Sequence, residues 1–201
     1  RHNNNSIREY IRNFIMSKLE TNTIDNISGS STLTIGDSNT ATITLKSGAT
    51  LTNFPDNTPA FEAFLSASTN PSNNTETKIA FNSEVFDTDN CYDNSTNYRF
   101  TPTTAGKYYC YAVVRAGGGA NQSQSNFTAQ FNKNGSEYGK EIIVQNGTSY
   151  PGNNYTLTLA ATIDFNGSSD YLEVVGLINS TATGSFIGES CRFGAYRIIG
   201  A

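Results

Sequence analysis

The stretch Asp87-Thr88-Asp89-Asn90-Cys91-Tyr92-Asp93-Asn94 gathers three carboxylates, those of Asp87, Asp89 and Asp93. Closely spaced oxygen ligands of this kind suit calcium, the one cofactor the sequence suggests. The spacing lacks the central Gly and terminal Glu of an EF-hand loop. Asp and Asn also build turns by bonding their own backbone, which is the competing reading. A second candidate is Gly117, Gly118 and Gly119 in AGGGANQSQSN. No Lys or Ser/Thr follows at phosphate-cradle spacing and no helix stands behind. The three glycines therefore read as an exposed loop between strands, a place for receptor contact. Glu62, Glu76, Glu84, Glu137, Glu141 and Glu173 are the carboxylates open to acid–base work. No local motif sets two of them at the separation glycoside hydrolysis needs. A polysaccharide depolymerase built from separate loops stays an alternative; the reading preferred is non-enzymatic.

Histidine chemistry is nearly absent, since His2 is the only one. Cys91, Cys110 and Cys191 are too far apart for a metal knuckle or a CxxC redox pair. Cys110 in YYCYAVV reads as small apolar packing in a strand. A Cys91–Cys191 bond and reduced thiols both remain open, with reduced thiols the default. Trp is absent, which weakens the case for a sugar-stacking cleft.

The elements that would position these groups are strands. The chain has 201 residues, 36% hydrophobic and only 15% charged. Ser, Thr and Asn fill roughly a third of it, far above ordinary usage. Short neutral side chains favour strands and tight turns over helices. The 12 Phe and 11 Tyr supply the apolar surface that a disordered chain lacks. A net charge of −4 with scattered Lys and Arg argues against nucleic acid. No apolar run is long enough to span a membrane as a helix. No secretory signal is read in the polar first residues.

Three regions are expected. In residues 1–20, Ile7, Tyr10, Ile11, Phe14, Ile15 and Leu19 share one face of an amphipathic helix, an anchor in need of a partner. Residues 21–58 carry short apolar bursts about ten residues apart, separated by turn formers. They read as a thin β-rich stalk or arm, closed by a proline-containing hinge. Residues 59–201 carry nine or ten short strands with Asn134-Gly135, Asn146-Gly147 and Asn166-Gly167 as turn dipeptides. The fold class is all-β, a β-sandwich head.

In this head, Tyr92-Asp93, then Phe100-Thr101-Pro102, then Gly106 and Tyr108 stand at the intervals of a known pattern. With Phe193-Gly194, Tyr196, Ile198 and Ile199 near the end, the region resembles the jelly rolls of the complement globular-head and tumour-necrosis-factor superfamily. The resemblance implies a homotrimer packed through aromatic faces. Tyr98, Phe100, Tyr108, Tyr109, Tyr111, Phe193 and Tyr196 are the candidates, each belonging either to the subunit interface or to the sandwich core. The layout with TLTIG and LKSGATLTNFP before the jelly roll also resembles virion proteins of marine bacteriophages. That resemblance implies a fibre, spike or capsid-decoration protein at the virion surface, assembled in the host cytoplasm. Its N-terminal region would meet other virion proteins, and its head a host receptor or glycan. The alternative is a soluble cellular ligand or adhesin of the same superfamily.

Overall fold

A computed structural model describes residue 47 and residues 56–118, 124–144, 154–181 and 183–199. Apart from Ser47, these belong to the compact unit Asn53–Ala201. The helix expected in residues 1–20, nearly all of the stalk, Asn146-Gly147 and Gly119 lie outside the described residues.

The described chain forms twelve strands: β1 (Ala60–Phe64), β2 (Thr77–Lys78), β3 (Ser83–Asp87), β4 (Tyr92–Asp93), β5 (Arg99–Phe100), β6 (Gly106–Gly118), β7 (Gln124–Lys133), β8 (Ser136–Val144), β9 (Tyr155–Phe165), β10 (Leu172–Ser180), β11 (Gly184–Phe186) and β12 (Arg192–Arg197). All pairings between them are antiparallel. The first sheet runs β9-β6-β12-β1-β3, with β11 beside the far end of β6. The second runs β4-β5-β10-β7-β8, with β2 beside β10. Among the described residues there is no helix.

Alternation decides which side chains meet between the sheets. Along β6, Tyr108, Cys110, Ala112, Val114 and Ala116 are buried, whereas Lys107, Tyr109, Tyr111, Val113 and Arg115 point outward. On β9 the buried set is Leu157, Leu159, Ile163 and Phe165. From the opposite sheet come Phe127, Ala129, Phe131, Leu172, Val174 and Ile178. Phe61 sits where both sheets meet, stacked on Tyr92 at 4.6 Å and on Phe100 at 4.7 Å, with Phe193 edge-on at 4.9 Å. Two phenols reach this core with their hydroxyls satisfied. Tyr92 donates to the Phe81 carbonyl and Tyr108 to the Thr104 carbonyl. Burial pushes the Tyr108 phenol up to about 12.

Several local expectations need correction. TKIAFNSEVF is two strands: β2 joins one sheet and β3 the other. Ile79 and Phe81 cross between them and bury their side chains in the core. Asn134-Gly135 closes the β7–β8 hairpin with positive φ at both residues, 52° and 79°. Asn166-Gly167 is no hairpin, because β9 and β10 lie in different sheets. There the Asn166 Oδ1 atom accepts hydrogen bonds from the Ser168, Ser169 and Asp170 amides and caps a crossover loop. Gly117 and Gly118 are strand residues of β6, paired with Ser185 and Gly184, so they do not form the expected receptor loop. A side chain at Gly117 would collide with Ile187 and Asn154, so the lack of one serves packing.

All three cysteines are free and buried. Burial raises each thiol, with Cys110 enclosed most completely. Since the thiolate is the nucleophile, alkylation of the native protein at mildly alkaline pH should leave all three intact. Labelling should proceed at the unfolding rate, followed by mass spectrometry of quenched samples. Fast modification of any one before unfolding would contradict the packing described.

Candidate functional site: an aromatic sheet face and a polar cleft

The outward face of the first sheet is where strand register assembles side chains distant in sequence. Tyr111 on β6 lies opposite Gly194 on β12, which lies opposite Glu62 on β1, which lies opposite Phe86 on β3. In the neighbouring row, Tyr109 lies opposite Tyr196 and Thr162. The Tyr109 and Tyr196 rings are 5.5 Å apart, and Tyr109 and Tyr111 are 6.4 Å apart. Gly194 lets the Tyr111 phenol lie across β12: a Cβ there would fall 2.5 Å from Tyr111 Cζ and Oη. The crossing phenol donates a 2.7 Å hydrogen bond to Glu62 Oε2, and Arg192 Nη1 donates one of 2.7 Å to Glu62 Oε1. Burial first, then the Glu62 carboxylate, pushes the Tyr111 phenol upward. The Arg192 guanidinium also stands 5.7 Å from the Phe64 ring centroid. Beside the tyrosines, β9 carries the small side chains Thr158, Ala160 and Thr162 on this face.

Among the aromatic interface candidates, the structure separates two groups. Phe100, Tyr108 and Phe193 are completely buried in the sandwich core and take that alternative. Tyr109, Tyr111 and Tyr196 are on the outward face, and Tyr196 is 42% exposed. Tyr98 is half-buried just before β5, with a positive φ of 50°. Ile199 is exposed. Phe86, 46% exposed, belongs to the face but carries no motif that marks it. Glu62 and Arg192 were legible only as a carboxylate and a cation 130 residues apart.

The second feature is a cleft of about 600 Å3, built by β4, β5 and the residues between them, with Glu84 from β3. Of the three carboxylates read as a calcium site only Asp93 lines it, and all three are otherwise engaged. Asp93 Oδ1 accepts from the Ser95 amide and hydroxyl and the Thr96 amide; its Oδ2 accepts from the Asn97 amide and Nδ2. Asp87 accepts from the Asp89 and Tyr92 amides, and Asp89 accepts from the Thr88 hydroxyl. These side chains perform turn chemistry. Among the described residues, no group of three or more His, Cys, Asp or Glu is placed to hold a metal ion. The other candidate carboxylates are mostly paired with cations. Glu62 meets Arg192, Glu76 and Glu137 meet Lys140, and Glu173 meets Lys78 at 2.6 Å.

The Thr96 and Ser95 amides hold the Asp93 carboxyl well below its ordinary 3.8, with Asn97 adding to the effect. A carboxyl lowered by folding stabilises the fold above its unfolded value and loses that contribution as pH falls towards the folded value. Acid titration of the melting temperature should therefore show a decline below about pH 4 that Asp93→Asn flattens. An acid limb equally steep in the variant would remove Asp93 as its source.

No protein-family model matches the chain, and no curated protein matches it. Solved structures do. Eiger TNF from S. frugiperda superposes with a TM-score of 0.50 at 11% identity, covering 71% of this chain and 93% of that one. Murine APRIL gives a TM-score of 0.50 at 10% identity, covering 69% of this chain and 98% of that one. At such identities the likeness is one of fold, and the described domain is a TNF-like jelly roll.

Proposed function

We propose that this protein is a non-enzymatic binding module that works as a homotrimer, packed through the outward face of its first sheet. The observation that carries this reading is the row of half-buried Tyr109 and Tyr111 with exposed Tyr196, extended by exposed Phe86, which no other strand among the described residues covers. Large aromatic groups at the centre of a surface, with small residues beside them, are the anchors that stable interfaces use. The Glu62–Arg192–Tyr111 network would satisfy its own polar groups when neighbouring copies exclude water. The remaining surface then stays free to recognise a receptor or glycan, repeated threefold for avidity.

Between the two expected settings, likeness to Eiger TNF and APRIL supports a ligand or adhesin. The virion setting has behind it the layout of TLTIG and LKSGATLTNFP ahead of the jelly roll, and those two stretches lie almost wholly outside the described residues.

Light scattering tests the trimer. The intact chain should show three times the chain mass, persisting on dilution, and Tyr196→Glu should give a folded monomer. Tyr196 is exposed within one chain, so its replacement costs the isolated jelly roll little, but should cost the assembly at least about 2 kcal/mol. A wild-type monomer, or a variant trimer as stable as wild type, would reject this packing.

A further inference from the structure

We propose that the cleft beside β4 and β5 binds a neutral saccharide through hydroxyl hydrogen bonds. The inference names a ligand class for the binding role above and rests on that reading only for threefold avidity. The cleft volume of about 600 Å3 is ample for one or two sugar rings, within the roughly 300–1,000 Å3 typical of small-molecule sites. Its wall is pre-shaped, because five hydrogen bonds to Asp93 fix the residues between β4 and β5. Binding there does not have to order a loose loop.

The groups left over decide the chemistry. Glu84, Asn90, Asn94 and Arg99 all line the cleft, and their side chains make no hydrogen bond or ion pair among the described residues. The Arg99 guanidinium lies 4.4 Å from the Tyr171 ring centroid, which orients its plane and leaves its N–H donors unused. Glu84 offers acceptors, Arg99 offers donors, and the two carboxamides offer both. An apolar ligand would desolvate these groups without replacing their bonds to water. A phosphate or sulfate would face Glu84 and Asp93, and a divalent cation would face Arg99. A polyhydroxyl ligand without charge answers each group, since every sugar hydroxyl both donates and accepts.

The test is saturation-transfer NMR on the intact chain with a panel of mannotriose, maltotriose, lactose and chitotriose. At least one should receive transfer, and a titration with it should shift the side-chain N–H signals of Asn90, Asn94 and Arg99. The double variant Asn90→Gly, Asn94→Ala should bind roughly tenfold more weakly, the loss expected for two neutral hydrogen bonds. Glycine accepts the positive φ of 54° at Asn90, so an unchanged melting temperature should accompany the loss. The wild-type signal shifts keep the test decisive if the variant misfolds. Silence across the panel, shifts confined to other residues, or undiminished binding by a folded variant would each overturn the proposal. So would loss of binding on adding a chelator, which would mean capture through a cation. This solution measurement on single sites is independent of oligomeric state, so its failure and that of the trimer are separable.

Discussion

Phe61→Ala should destabilise the jelly roll by about 4 kcal/mol, the middle of the range for deleting a fully buried aromatic ring. Phe61 belongs to the first sheet, yet its flattest contact is with Tyr92 of the second sheet, at an interplanar angle of 7°. It also stacks on Phe100 of the second sheet and receives the edge of Phe193 from its own, so one ring joins two across the sandwich and one beside it. Truncation removes that apolar area and leaves a hole that neighbours of β1, β4, β5 and β12 cannot fill together. Urea denaturation followed by fluorescence should show a lower midpoint with an unchanged slope. Phe86→Ala is the matched control on the adjacent strand. That ring is 46% exposed, and its loss should lie within about 0.5 kcal/mol in the monomer. Equal effects from the two substitutions would mean that Phe61 is not the link between the sheets.

The second large effect concerns Gly167, where two costs fall on one residue. Its φ is +72°, and an added Cβ would collide with the Ala105 amide nitrogen and lie 2.8 Å from the Thr104 carbonyl carbon. Both obstacles are backbone, so no side chain can swing aside. Gly139 has nearly the same φ, +71°, but nothing lies within 4 Å of its Cβ position. Gly139→Ala should therefore cost only the conformational strain, about 1 kcal/mol. Gly167→Ala should add displacement of packed backbone and cost about 3 kcal/mol in all. Thermal and urea denaturation of the pair separate strain from collision. A Gly167→Ala protein as stable as Gly139→Ala would show that the loop at Ala105 yields freely.

The sandwich is legible in the sequence because its long strands alternate cleanly. YTLTLAATIDF exposes Thr and buries Leu, Ile and Phe, and it forms one unbroken strand as read. GKYYCYAVVRA is harder, because tyrosines occupy both parities. The assignment lies in their companions: Tyr108 shares its parity with Cys110, Ala112 and Val114, whereas Tyr109 and Tyr111 share theirs with Lys107 and Arg115. That signal separates core from surface. Strand pairing has no comparable local signature. Nothing near Glu62 announces that Arg192 and Tyr111 will meet it, and nothing in TKIAFNSEVF says that its middle crosses from one sheet to the other. The aspartates misled for a related reason. Oxygen-rich spelling is shared by cation sites and capped turns, and only the direction of the amide hydrogens distinguishes them.

The position of β12 also governs when the protein becomes a protein. It pairs with β6 on one side and β1 on the other, so the first strand of the jelly roll is held by the last. Translation delivers these two strands some 130 residues apart, at about 5–20 residues per second. Until Arg192–Arg197 leaves the ribosome, β1 and β3 have no route into the sheet, and Phe61 waits without Phe193. The nascent domain consequently carries unpaired strand edges and bare aromatic rings through most of its synthesis. Arg192 and Tyr196 of the proposed contact face are made in β12 itself. That face is therefore incomplete on any nascent chain in which β12 has not yet been made.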